Sequence, residues 1–294
     1  MNGVLVIDKP AGVTSRHIDN VVRKRVGRRV RVGHAGTLDP FATGVLPILV
    51  GEATKLSPYL TGCEKRYQAT LLLGQQTDTA DCEGRVIREA PAVSLVEEQI
   101  HEAMQALTGE LQQQVPAYSA VRINGERLYE QARRGDTDMV LPVRQVRTSD
   151  WTLERFDAAS ITFSVTCSAG TYVRVLGEQV AAQLGTLGHL TALRRLRSGK
   201  IDITQAVSLE QALDELPLVS LEAVLDLPVL ALDGEQSRLV GFGRKIETDP
   251  DDGGADIVQA RNEQGRLLAI LERQGATNET PSLWRILRGF SGSE

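Results

Sequence analysis

The segment Gly33-His34-Ala35-Gly36-Thr37-Leu38-Asp39-Pro40-Phe41-Ala42-Thr43-Gly44-Val45-Leu46 is the part of this chain best suited to chemistry. It sets three glycines, a proline, one histidine and one aspartate between a basic run and an apolar run. Pro40 pushes Asp39 out of the helical region, and the glycines let backbone approach a ligand closely, so Asp39 can be presented on a stiff loop. A tight Asp-Pro turn whose carboxylate caps backbone amides is the other reading, and residue types alone leave both open. No GxGxxG opens a helix and no GxxxxGK[ST] occurs, so no nucleotide cofactor is expected. His17, His34, His101 and His189 are scattered, and Cys63, Cys82 and Cys167 form no CxxC pair, so neither a metal site nor a disulfide framework is expected. Any catalysis falls to carboxylates, hydroxyls and bases of the protein itself.

The elements that must hold such a loop follow from periodicity. Val4 to Ile7 reads as a strand ended by the turn Asp8-Lys9-Pro10-Ala11-Gly12. A helix follows, capped by Thr14 or Ser15, with Ile18, Val21, Val22 and Val26 on one face and the arginines on the others. Tyr67 to Leu73 reads as a strand, and Ser94 to Glu97 as a capping box opening a helix that buries Ile100, Met104 and Leu107 and stops at Gly109. His101 lies off that stripe, in solvent. Ile161, Phe163 and Val165 alternate with polar residues and mark a half-buried strand, which leads through Cys167 to Gly170 into a helix near Tyr172 to Leu184. Tyr172 and Arg174 therefore fall at an element boundary. Ser208 to Gln211 opens another helix, and past a boundary near Leu227 the short strand candidates Arg238 to Ile246, Ile257 to Arg261 and Arg266 to Arg273 suggest a small β-rich module with a loop at 250–254.

Composition bounds the class. With 294 residues, 41% hydrophobic and 24% charged, the chain is an ordinary folded one, large enough for one large domain and a small one. No apolar run approaches the ~20 residues needed to span a bilayer, and the start lacks a signal-peptide pattern, so a cytoplasmic protein is expected. The net charge of −5 hides an asymmetry. Residues 201–294 carry 17 acids against 8 bases, which leaves residues 1–200 at +4. There Arg16, Arg23, Lys24, Arg25, Arg28, Arg29 and Arg31 face one acid, Asp19, and Arg194, Arg195, Arg197 and Lys200 have none among them. Each cluster could neutralise phosphates or form a solvated helix face.

Taken together, these stretches resemble the bacterial tRNA pseudouridine-55 synthases of the TruB type. Gly3-Val4-Leu5 with Asp8-Lys9-Pro10, Gly12 and Thr14-Ser15 is similar to the family's opening motif, and Gly33 to Leu46 to the segment bearing its catalytic aspartate. Lys65-Arg66-Tyr67 with Leu73-Gly74, Thr77-Asp78-Thr79, Asp81 and Gly84 resembles a third block. Pro116, Tyr118-Ser119-Ala120, Gly125, Tyr129 and Ala132-Arg133 resemble a fourth, Cys167-Ser168 with Gly170-Thr171-Tyr172-Val173-Arg174 a fifth, and Leu193-Arg194-Arg195-Leu196 a sixth. Six such blocks in order are far more specific than any one of them.

The resemblance implies an α+β pseudouridine synthase fold, with a mixed, largely antiparallel central sheet flanked by helices, and a small β-rich PUA-like C-terminal domain. It implies a catalytic domain over residues 1–227, with an RNA-gripping insertion at about 114–147, and a PUA-like RNA-binding module over 228–294. The implied activity is isomerisation of uridine to pseudouridine at position 55 in the T-loop of tRNA, without cofactor or metal, by a monomer that grips the T-arm and elbow. Asp39 would be the nucleophile and Arg174 the cation that keeps it ionised; Tyr67 would stack on the flipped base, and Tyr172 and Leu193 would line its pocket. His34 would fill the space the flipped nucleotide vacates. Lys9 would either contact phosphate or active site, or orient a turn. Arg122 stands where lysine is usual and Ala169 where many members carry lysine; Asp78 and Asp81 read as an exposed structural turn. A relative working with guide RNA is disfavoured, since the chain starts almost at the first motif and lacks long basic extensions. The other reading is a tRNA-binding or tRNA-folding protein that contributes binding rather than turnover.

Overall fold

In the computed structural model all residues are described except 92, 120, 124, 135–139, 249–253, 276–280 and 292–294. A nine-stranded mixed sheet forms the body. Its main path runs Gly3–Lys9, Thr43–Val50, Gly188–Ser198, Lys65–Leu73, Ser160–Cys167, Val143–Phe156 and Gly109–Gln114, with Val32–His34 and Ile201–Asp202 joined at the side. Each described pairing in it is antiparallel except one: Thr43–Val50 meets Gly188–Ser198 in parallel, through Arg194 opposite Thr43 and Arg195 opposite Gly44. The expected α+β class with a largely antiparallel mixed sheet is what the chain forms.

Strand alternation decides which side chains face the interior. In Lys65–Leu73 every second residue is buried, so Lys65, Tyr67, Ala69, Leu71 and Leu73 share one face. Tyr67 lies opposite Arg195 on one neighbouring strand and Val165 on the other. The helix Ser15–Val26 starts at Thr14, whose hydroxyl accepts from His17 N at 3.1 Å, and it buries Ile18 and Val22 while its basic residues face outward. The helix Val173–Gln183 packs Leu176, Val180 and Ala181 into the same core as Leu71 and Phe163.

A second, five-stranded sheet runs Val229–Ala231, Ile257–Arg261, Leu267–Gln274, Ser282–Gly289 and Ile246–Thr248 around fully buried Trp284. Leu267 and Ile270 from it join Val4, Val45 and Leu49 of the main sheet in one apolar cluster. Two expectations change here. Arg238 to Ile246 is not a strand: Asp233 and Gln236 form a reciprocal capping box that opens the helix Gly234–Gly241, and the strand begins only at Ile246. Ser94 to Glu97 is not a capping box either, since the helix starts at Glu97 after Val96 with no side-chain cap. Of the loop expected at 250–254, only Gly254 falls within the described residues. Among the described residues no helix is long and apolar enough to cross a membrane.

The parallel joint depends on a missing side chain. Gly44 has φ +100°, and a Cβ there would lie 2.2 Å from the Arg195 carbonyl oxygen and 2.8 Å from its amide nitrogen. Both atoms are backbone, so neither can swing aside. Gly44→Ala is therefore expected to cost about 2–3 kcal/mol of folding free energy, read as a lowered urea midpoint with an unchanged slope.

Candidate active site

The loop from Ala35 to Ala42 connects two paired strands, Val32–His34 and Thr43–Val50, and buried polar side chains fix it from below. Ser15 Oγ donates to the Leu38 carbonyl at 3.0 Å and accepts from Leu38 N at 2.9 Å. Fully buried Lys9 donates to the carbonyls of Pro10, Val13 and Pro40 at 2.9, 2.7 and 3.0 Å. From the far side Arg195 donates to Gly36 O at 2.8 Å and to Val45 O at 2.7 Å. The loop backbone is thus tied immediately before, at and after Asp39.

Asp39 emerges from this loop against Arg174, in the first turn of the helix Val173–Gln183. Arg174 Nε donates to Asp39 Oδ2 at 2.9 Å. Its remaining nitrogens are also committed: Nη1 to Thr79 O at 2.7 Å, with Asp81 Oδ2 at 3.5 Å, and Nη2 to Tyr118 O at 3.0 Å. Asp81 is itself held by Thr79 Oγ1 at 2.6 Å and Glu83 N at 3.0 Å. It is 3% exposed, so this aspartate is an internal support for Arg174 and not part of an exposed turn. Asp78, by contrast, accepts from Arg85 N in a partly exposed turn.

The two members of the pair differ in access. Arg174 is 4% exposed at its side chain, whereas 37% of the Asp39 side chain remains open to a cavity of about 240 Å³. Enclosure by protein pushes the Asp39 pKa above the ordinary carboxylate value; the Arg174 guanidinium pulls it back, and the neighbouring Asp81 adds to the rise. The arrangement presents an aimed carboxylate, paired to a cation on one side and free to react on the other.

Tyr67, Tyr172 and Leu193 line the same cavity as Asp39 and Arg174, so five of the residues singled out by sequence meet here. Tyr67 is 9% exposed, and burial raises its phenol above the usual range while the nearby Arg195 cation opposes the rise. Lys9 lies beneath the loop, where its donors all go to loop and turn carbonyls, so the geometry favours turn orientation over phosphate contact. His34 stands outside the cavity, its Nδ1 2.8 Å from Asp19 Oδ2 and its Nε2 2.9 Å from Thr37 Oγ1. It borders a separate open hollow of about 470 Å³ rimmed by Arg23, Arg28, Arg29 and Arg31.

Other residues of the site were missed by the sequence reading. Arg195, counted among surface bases, is 1% exposed; strand alternation places it on the same face as Leu193, a signal that was open to reading. Arg194 pairs with Asp8 through two nitrogens at 2.9 and 2.6 Å. Lys65 is buried at the cavity wall and donates to the carbonyls of Thr61 and Cys63; burial and the nearby Arg195 lower its pKa to about 8. Gln113 clamps Tyr172, accepting from its N–H at 2.7 Å and donating to its carbonyl at 3.1 Å. Gln113 and Tyr172 are 59 residues apart, and no local pattern announces such a pair.

Residues 23–173 match the model of the TruB family pseudouridylate synthases, N-terminal domain. The tRNA pseudouridine synthase B of Thermobifida fusca (strain YX) is 41% identical over 288 residues, covering 95% of this chain and 97% of that protein. The chain belongs to the TruB family. The tRNA pseudouridine synthase B of Cutibacterium acnes (strain DSM 16379 / KPA171202) is 42% identical, with 92% of both chains covered. The TruB-type fold is shared with a chain of a Cbf5-Nop10-Gar1 complex at a TM-score of 0.76, 21% identity, and coverage of 98% of this chain and 85% of that one.

The pair predicts its own disruption. In Arg174→Met, Asp39 stays enclosed without its cation and faces Asp81, so its pKa rises further. Activity that needs the carboxylate ionised is lost as pH falls through that pKa. The acid limb of the pH–rate profile is therefore expected to move upward by about 1–3 units, with turnover at pH 7 reduced. A limb that stays in place would contradict the electrostatic role.

Proposed function

We propose that this protein isomerises uridine to pseudouridine at position 55 in the T-loop of tRNA, with Asp39 as nucleophile. The observation that carries the reading is the Asp39–Arg174 pair opening into a cavity walled by two tyrosines and a leucine, in a member of a pseudouridylate synthase family. Relatives about 40% identical over most of the chain are named tRNA pseudouridine synthase B, which supports tRNA as the substrate.

The reaction breaks the C1′–N1 bond and forms C1′–C5; N1 gains a proton and C5 loses one, so no electrons change hands. A carboxylate that forms a covalent intermediate divides this into easier steps. Arg174 keeps Asp39 ionised and aimed. A cavity of about 240 Å³ suits a single base and not a stacked helix, so the uridine enters flipped. Tyr67 supplies the stacking face, Tyr172 and Leu193 the remaining walls, and Lys9 holds the loop that carries Asp39. Extrusion costs a few kcal/mol, and His34 offsets part of it by occupying the vacated space. The arginine-rimmed hollow beside His34 takes phosphates of the tRNA elbow.

Residues 1–227 act in this reading as the catalytic domain, with the insertion at 114–147 gripping RNA. Residues 228–294 act as a PUA-like module that, despite its acidity, reaches the acceptor stem through Arg238, Arg244 and Lys245 or through Arg285 and Arg288, or else buttresses the main domain. The enzyme works as a monomer in the cytoplasm.

Incubating the purified protein with an unmodified tRNA transcript and mapping modified positions tests the proposal. The expected product is pseudouridine at one T-loop uridine, with no free uracil released. Bound tRNA left unmodified would make this a binding or folding protein, and free uracil would make it a glycosidase.

A further inference from the structure

Ser119 is buried in the wall of the Asp39 cavity, 5% exposed, and among the described residues its hydroxyl oxygen has no hydrogen-bond partner. Leaving a buried hydroxyl unmatched is costly, which asks for an explanation. The other described buried oxygens without partners, on Asp19, Gln179, Thr186, Ser198 and Ser237, do not line this cavity. Of the other hydroxyls lining the cavity, those of Thr37, Ser168 and Thr171 are engaged already: Thr37 with His34, Ser168 with Arg147 N, and Thr171 with Ser168 O.

The Ser119 backbone is also firmly placed. Ser119 N donates to Ala117 O at 3.0 Å, and Ser119 O accepts from Tyr129 N at 3.1 Å. The carbonyl of the preceding residue, Tyr118, accepts from Arg174, so the hydroxyl is registered to the same guanidinium that holds Asp39. Six residues before Ser119, Gln113 fixes Tyr172, another residue of the cavity lining. Ser119 is thus fixed by its backbone in the wall of the cavity that holds the reactive pair, and among the described residues its hydroxyl has no partner.

We propose that Ser119 is a substrate-contacting residue, whose hydroxyl hydrogen-bonds the polar edge of the flipped uracil. This rests on the reading that the cavity receives a uridine. A uracil carries N3–H between two carbonyl oxygens, and a serine hydroxyl can rotate to accept from the one or donate to the others. The free protein bears the unmatched hydroxyl, and the bound base satisfies it. The contact acts on the base once it is in the cavity, so it contributes to the rate of conversion and little to overall tRNA affinity, which phosphate contacts dominate.

The test measures single-turnover pseudouridine formation, tRNA affinity and thermal midpoint for wild type, Ser119→Ala and Ser119→Cys. Alanine removes an unmatched hydroxyl, so its midpoint is expected to equal or exceed that of wild type. Its tRNA affinity is expected within twofold of wild type, and its rate roughly tenfold lower. Cysteine restores most of the side-chain volume but bonds weakly, and its rate is expected to stay at least severalfold low. An alanine variant at the wild-type rate, or a cysteine variant that regains it, would overturn the contact. So would an alanine variant whose slow turnover comes with a lowered midpoint, since that places the hydroxyl in the fold. Wild-type protein that binds tRNA without forming pseudouridine defeats the functional reading itself, and is recognised before any variant is compared.

Discussion

A buried guanidinium must find acceptors for its five N–H groups, and at Arg174 that requirement gathers three separate stretches of chain to one point. Asp39 comes from the loop after the second strand, Thr79 and Asp81 from the turn after Leu73, and Tyr118 from the segment that follows Gln114. Asp81 is near enough to raise the proton affinity of Asp39, and the cation between them opposes this. Opposite charge also fixes direction: one Asp39 oxygen is turned to Nε, and the rest of the carboxylate faces the cavity. Enclosure and the neighbouring anion raise the proton affinity of the Asp39 carboxylate, the bridging cation opposes that rise, and the ionised form is left poorly solvated, which favours attack.

The scaffold's less regular features serve that point. The one parallel joint in the described main sheet brings Thr43 and Gly44, at the end of the Asp39 loop, against Arg194 and Arg195. Only a residue without a side chain fits there, and the close approach lets Arg195 reach the carbonyls of Gly36 and Val45 on either side of the loop end. Lys9 and Ser15, from the first strand and first helix, tie down the loop from the opposite side. The loop that carries the reactive group is therefore tied by side chains on both sides, although it has no regular hydrogen-bond ladder of its own. Placing reactive groups on a loop pinned by a rigid frame is a common solution, since loops permit the backbone angles that such presentation needs.

Much of this was legible in the residues, and the limit is physical. Period-two and period-3.6 burial located the strands around Tyr67 and Phe163 and the helices after Thr14 and Tyr172, because one-sided burial writes itself into local order. The ordered motifs brought Asp39, Arg174, Tyr67, Tyr172 and Leu193 into one expected site, and the structure places these five around one cavity. What local order does not carry is the partner across space. Asp81 reads as an exposed turn because its environment is made by Arg174, 93 positions later. Arg195 reads as surface charge because a run of bases masks the alternation that turns it inward. The stretch from Arg238 reads as a strand because short apolar runs suit either element, and the Asp233–Gln236 cap that settles the matter is a weak signal. Gln113 gives no local sign of its bonds to Tyr172.

The central claim is that the Asp39 carboxylate, held by Arg174, forms and breaks the bonds. Its most direct test is tritium release from a tRNA transcript labelled at uridine C5, comparing wild type with Asp39→Asn at equal tRNA occupancy. Asparagine keeps the shape and loses the charge. Release by the wild type and its abolition in a variant that still binds tRNA is the predicted result; release by the asparagine variant at a comparable rate would contradict it.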